Sequence, residues 1–199
     1  MIQPSAWIAR SGFTFTAWSN FAPANRSESE VAHLHVTDLI LTYSRDWKKF
    51  RIEPTMEAYL NRRPSDVDDH NTMEGSFKLS YPVGPLRVFT AHAFDVLAYK
   101  GAYFGEAGLG WDGRIANNIA LAASFRSGWA SSKFNDVYIG LDKPAVNFIG
   151  TEGSLTYHLK PYLYFRPHFE FSNIADRRLR EYLSSRTIVN FGLAMGIEF

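Results

Sequence analysis

The last thirteen residues, Thr187 to Phe199, read TIVNFGLAMGIEF and constrain the chain more than any other stretch. Val189, Phe191, Leu193, Met195, Ile197 and Phe199 occupy one phase of a period-2 pattern. Ile188, Asn190, Gly192, Ala194, Gly196 and Glu198 occupy the other. Successive side chains of a strand point to opposite faces, so one face is apolar and aromatic while the other is small or polar. With a terminal Phe, this is the pattern expected of the closing strand of a bacterial outer-membrane β-barrel.

The same alternation recurs through the chain. Phe50, Ile52, Pro54, Met56, Ala58 and Leu60 alternate with Arg51, Glu53, Thr55, Glu57 and Tyr59. Leu163, Phe165, Pro167, Phe169 and Phe171 alternate with Tyr164, Arg166, His168, Glu170 and Ser172. Hydrophobic residues make up 46% of the chain, yet the mean hydropathy is −0.20, as it must be when apolar residues are interleaved with polar ones. A soluble β protein alternates too, but its apolar face turns inward and favours aliphatics. Here the apolar face is rich in aromatics and the other carries Gly, Ser and charge, which suits a lipid-facing exterior and a polar lumen.

Several classes are excluded. No apolar run approaches the roughly 18 residues of a membrane helix. With 21 basic and 20 acidic residues there is no electrostatic case for a nucleic-acid partner. The absence of cysteine excludes disulfides and thiolate-held metals. Met1 to Ser5 lacks the basic and apolar regions of an export leader, so the expectation is a leader already removed or a chain that begins late.

Connection lengths give a second test, because outer-membrane barrels have short periplasmic turns and longer external loops. Tight turns are expected at 10–12, 82–85, 112–114 and 160–161, with a short one at 45–49. Long connections are expected at 21–30, 61–71, 129–150 and 173–186, with a medium one at 97–101. The segment 135–142 alternates well enough to be a strand, but that would reverse the phase of everything before it. It is therefore assigned to one extracellular excursion, 129–150, of a single domain spanning 1–199. Tyr43, Trp47, Phe50, Tyr81, Trp111, Tyr162 and Phe199 would form a periplasmic girdle, and Tyr59, Tyr103, Phe125 and Trp129 would lie toward the outer rim.

The predicted fold is all-β: an antiparallel transmembrane outer-membrane β-barrel of 10–12 strands. Ten strands are expected at 12–20, 31–44, 49–61, 72–82, 86–96, 102–112, 115–128, 151–159, 161–172 and 187–199. Either residues 1–11 form a periplasmic tail, or 3–10 is a further strand and the one before it is absent.

Ile2 to Ser5 leading into Gly12-Phe13 and Trp18, Asp38 with Tyr43, Phe94-Asp95 followed by Ala102 to Glu106, and Asn135 to Gly140 together carry a resemblance. The chain resembles the small proteobacterial barrels related to the MltA-interacting (MipA/OmpV-like) outer-membrane scaffolding family. Asn135-Asp136-Val137-Tyr138-Ile139-Gly140 is similar to an N-x-x-Y-F-G-V pattern of that family. The resemblance implies about twelve strands, no catalytic residues, and a scaffolding role toward a periplasmic murein-processing protein.

The inner face is expected to carry Arg51, Lys78, Arg87, Arg126 and Arg166 against Glu53, Glu57, Glu74, Asp95, Glu106, Glu170 and Glu198, with His168 among them. Mixed charge of this kind lines a narrow polar pore or closes it by pairing across it. Arg166, His168, Glu170 and Ser172 share one face of one strand and include hydrolase-type groups. Same-face neighbours, however, lie roughly 6.5–7 Å apart, too far for a direct relay. Asp66, Asp68, Asp69 and His70 lack the pattern of a calcium loop. His33 and His35 lack a third metal ligand. Arg177, Arg178, Arg180 and Arg186 could meet lipopolysaccharide phosphates. No cofactor is expected. The leading expectation is a passive channel for small polar solutes, ahead of an envelope scaffold and a lipid A-modifying enzyme. Partners are then outer-membrane lipids and lipopolysaccharide, with a periplasmic protein under the scaffold alternative.

Overall fold

A computed structural model describes residues 3–22, 33–61, 70–183 and 185–197. Ile2, Asp66, Asp68, Asp69, Glu198 and Phe199 lie outside the described residues, as do the side chains of His33 and His35. The strands are β1 (Ser5–Arg10), β2 (Phe13–Ala22), β3 (His33–Tyr43), β4 (Arg45–Trp47), β5 (Phe50–Asn61) and β6 (Thr72–Val83). They continue as β7 (Leu86–Asp95), β8 (Tyr103–Ala116), β9 (Ile119–Ala130), β10 (Ala145–Lys160), β11 (Leu163–Ile174) and β12 (Thr187–Ile197). Two helices, α1 (Ser132–Ile139) and α2 (Leu179–Tyr182), interrupt the later connections.

The strands form one sheet, hydrogen-bonded in sequence order from β1 to β12. β4 is the continuation of β3. Thr42 opposes Thr55 and Arg45 opposes Ile52, so the register on β5 carries across the break at Ser44. Two-residue turns at 11–12, 48–49, 84–85, 117–118 and 161–162 alternate with longer connections, the rhythm of an up-and-down membrane barrel.

Of the two alternatives for the first residues, the strand holds: residues 5–10 pair along their length with β2. Two expectations change. The turn expected at 112–114 sits at 117–118, because β8 runs on to Ala116. The excursion expected over 129–150 contracts to 131–144, since Ala130 pairs with Ala145 and Trp129 with Val146.

The chain is compact in two units: Met1–Leu79 with His92–Tyr103, and Ser80–Ala91 with Phe104–Phe199. In the first, Gly12 makes the β1–β2 turn at φ 85°, and a Cβ there would lie 2.8 Å from the Ser44 carbonyl oxygen. That close approach serves a bond: Ser44 N–H donates to Gly12 O at 2.7 Å. Phe13, Phe15, Leu41, Met56 and Phe77 are exposed on one face of this unit.

In the second unit Phe191, Leu193 and Met195 are 79%, 63% and 69% exposed on β12, while Asn147 and Ser172 are buried. Apolar side chains outside and polar ones inside is the reverse of a soluble core, and it is stable only where the outside solvent is hydrocarbon.

α1 fills the connection in which the sequence pattern competed between strand and loop. Ser131 caps its N-terminus, its Oγ accepting from Phe134 N–H at 3.2 Å. Gly140 ends it at φ 84°, with its N–H on Asp136 O and Leu141 N–H on Asn135 O. Asn135 is fully buried. Its Nδ2 donates to Lys143 O at 2.7 Å and its Oδ1 accepts from Asn147 Nδ2 at 2.7 Å. The register slips between Val146 and Phe148, and this bulge frees Asn147 to reach the helix. Lys143 Nζ pairs with Asp176 Oδ2 at 2.6 Å, joining this connection to the one that carries α2.

Candidate functional site

The polar face is built strand by strand from the period-2 phase, and the second unit shows its densest part. Arg126 on β9 stands opposite Gly108 on β8 and Gly150 on β10. Neither neighbour has a side chain, so the guanidinium is free to reach the diagonal positions. Nη1 lies 3.5 Å from Glu106 Oε2; Nη2 lies 3.4 Å from Glu152 Oε2 and 2.5 Å from Glu170 Oε1. Glu152 and Glu170 face each other directly across the β10–β11 pair. Such a like-charge pair is unfavourable alone and is held together by the arginine. Asn190 Nδ2 on β12 donates to the other oxygen of Glu170 at 3.3 Å.

Aromatic rings wall this cluster toward α1. The Arg126 guanidinium carbon lies 5.5 Å from the Phe148 ring centroid. Phe148 stacks with Phe104 at 6.2 Å, and Phe104 meets Phe134 of α1 at 5.3 Å. A Cβ at Gly128 would collide with the rings of both Phe148 and Phe104, so that glycine makes room for the layer.

The hydrolase-type set on β11 is not assembled. Arg166 Nε donates to Thr156 Oγ1 at 2.8 Å, and its guanidinium carbon lies 4.8 Å from the Tyr164 ring centroid. The His168 ring lies where a Cβ of Gly192 would be, across the β11–β12 pair. Ser172 Oγ approaches Glu170 at 3.4 Å, and Glu170 is held by Arg126. The hydroxyl thus meets the carboxylate, while the histidine ring packs against Gly192 and joins neither.

In the first unit, Ser44 Oγ and Arg51 Nε both donate to Glu53 Oε1 at 3.0 Å. Tyr59 Oη donates to Glu74 Oε2 at 3.1 Å, and Glu57 shares its face of β5. Tyr59 thus belongs to the polar face rather than to an outer aromatic rim, a correction that its own phase beside Glu57 already contained. Asp38 stands opposite Tyr59 across the β3–β5 pair.

Asp95, expected to line a pore, is buried and committed to a turn. Its carboxylate accepts from Thr72 Oγ1, and at 2.9 Å from the N–H groups of both Leu97 and Tyr99. Arg87 Nη2 lies 3.5 Å from Asp112 Oδ1 in the second unit, so Asp112 is a strand residue of the polar face and not part of a turn. Lys78 is exposed on β6.

Glu152 and Asp112 are residues of the polar face that the inner-face assignment from sequence missed, whereas the charge of Asp38 already placed it there. Glu152 was legible, since Gly150, Glu152, Ser154 and Thr156 share one phase of β10.

No family model matches the chain, and no curated relative matches it. Among solved structures, the chain is similar to one described as the NanC porin in a rhombohedral crystal form, at 11% identity and a TM-score of 0.63. That likeness covers 99% of this chain and 92% of the other. OmpT, an outer membrane protein of Vibrio cholerae, aligns over 98% of this chain and 63% of its own, at 9% identity and a TM-score of 0.40. The first likeness, with the single antiparallel sheet and its apolar exterior, establishes the fold as an outer-membrane β-barrel, and the bacterial outer membrane is where such a fold resides.

Proposed function

We propose that the protein is a narrow passive channel for small polar solutes. The observation that carries this reading is the polar face itself. In each unit it bears ionised side chains of both signs, and in the second unit these are bridged into a fixed network around Arg126. Rings of charged side chains on a membrane-spanning wall select among solutes by charge and size. The similar structure described as a porin supports the same reading. The lipids of the outer membrane, lipopolysaccharide among them, would meet the exposed apolar face.

The same side chains favour a non-enzymatic reading. His168 makes no hydrogen bond to Glu170 or Ser172 among the described residues, so no activated nucleophile is formed on β11. A scaffold for a murein-processing protein, which the resemblance to the MltA-interacting family suggests, is the second reading. The Asn135 to Gly140 element that carried the resemblance lies in α1 and its capping glycine.

Single-channel recording on the refolded full-length protein in planar bilayers tests the first reading. Discrete conductance steps are expected, and a current no greater than the bare bilayer's would sink it. Crosslinking in cells that captures a periplasmic partner would favour the second.

A further inference from the structure

We propose that Asp38, Glu57 and Glu74, with Tyr59 among them, form a binding subsite for a guanidinium- or ammonium-bearing solute on the polar face of the first unit. The proposal deepens the channel reading by naming a solute class, and it rests on that reading for how the solute arrives.

The argument begins from a contrast between the two units. In the second, three carboxylates, Glu106, Glu152 and Glu170, converge on a guanidinium that the chain itself supplies. In the first, three carboxylates on the consecutive strands β3, β5 and β6 lie near one another with no cation paired to them among the described residues. Glu74 accepts from the Tyr59 hydroxyl, Glu57 lies two residues from Tyr59 on the same face of β5, and Asp38 stands opposite Tyr59. No lysine or arginine forms an ion pair with any of the three among the described residues.

A second observation points to a ligand. Asp38 is 7% exposed, and its Oδ1 has no hydrogen-bond partner among the described residues. A buried carboxylate oxygen left unpaired is costly, and a cation beside it removes the cost.

The chemistry of the cation follows from the spacing. Among the described residues no three acidic or histidine side chains are close enough together to hold a metal ion. A planar guanidinium presents five N–H donors and can satisfy separate carboxylates, and an ammonium presents three. Trp18 on β2 and Tyr59 on β5 stand opposite Asp38 in register, so aromatic residues share its face, as cation recognition favours.

The test uses full-length protein refolded in detergent micelles and methylguanidinium as the probe. Saturation-transfer NMR is expected to show the probe's methyl signal with the wild type. With E57Q/E74Q the signal should fall by roughly tenfold, the loss of about one charge-assisted contact. D38N alone, nearly isosteric, should weaken it in the same direction and serves if the double variant does not fold. An unchanged signal in all variants, or none with the wild type, overturns the subsite. Methylammonium in place of methylguanidinium tells which cation is preferred.

Bilayer recordings under a methylguanidinium chloride gradient separate this proposal from the channel reading. The wild type should give a cation-selective reversal potential that moves toward zero in E57Q/E74Q. Conductance without cation preference and without saturation transfer overturns the subsite and leaves the channel. Saturation transfer without conductance overturns the channel and leaves the subsite.

Discussion

Arg126 Nη2 lies 2.5 Å from Glu170 Oε1, a contact between residues 44 positions apart in sequence and two strands apart in the sheet. It spans β10, where Gly150 leaves the space for it. Glu106 and Glu152 complete the set, so one positive charge holds three negative ones.

Replacing Arg126 by Met should therefore leave three neighbouring carboxylates without their counter-ion. The Arg126 and Glu106 side chains are each about one-fifth exposed, which softens the effect relative to a fully buried pair. The expected loss is on the order of 1–3 kcal/mol, read as a lower urea midpoint for the refolded protein in micelles. A midpoint equal to that of the wild type would show that the cluster contributes nothing to stability.

Gly192 and His168 form a complementary pair across β11 and β12. A Cβ on Gly192 would occupy the space of the imidazole ring. Gly192→Ala should destabilise the protein by about 1–3 kcal/mol as the ring is forced aside. His168→Ala in the same chain should recover most of that loss. Failure of the double variant to recover would mean that the glycine serves another purpose.

Phe191 tests which solvent the apolar face meets. It is 79% exposed near the middle of β12. Phe191→Arg should cost about 2–4 kcal/mol in lipid if that position lies near the bilayer midplane. An exposed side chain in water would change stability by about 0.5 kcal/mol at most. Folding equilibria in phospholipid vesicles distinguish the two values.

The bond between Lys143 and Asp176 gives a pH dependence outside the membrane-spanning strands. The Lys143 ammonium, first, and then the N–H groups of Leu179 and Arg178 hold the Asp176 carboxyl below its ordinary value of 3.8. A depressed carboxylate contributes its stabilisation fully above the unfolded value and loses it as pH falls through the folded one. The clasp between 131–144 and 175–186 should therefore be intact at neutral pH and release below about pH 4. Amide hydrogen exchange at α1, followed against pH, should accelerate in that window. Asp176→Asn should remove the step, and an identical step in that variant would assign it to another group.

Much of this was legible in the sequence because its signal is local. A strand's faces alternate every residue, so Phe191 and Glu170 declare their sides without knowledge of any partner. Turn lengths then ordered the strands, and the choice to read 135–142 as something other than a strand followed from that ordering alone. Even where the outcome differed, the signal was present: Tyr59 shares its phase with Glu57, and Asn117–Asn118 is a better turn than Asp112 to Arg114.

The period of the chain by itself determined a membrane-facing and a polar face, and hence the class of fold. Only the tertiary structure decided which charges meet. Glu170 reaches Arg126 rather than His168 because the register of three strands and the absence of side chains at Gly108 and Gly150 bring them together. Asn147 reaches Asn135 because one bulge leaves it unpaired. Among the described residues no lysine or arginine forms an ion pair with Asp38, Glu57 or Glu74. Register across strands is a non-local quantity, fixed by turns, bulges and packing, and the alternation of a single strand carries no information about it.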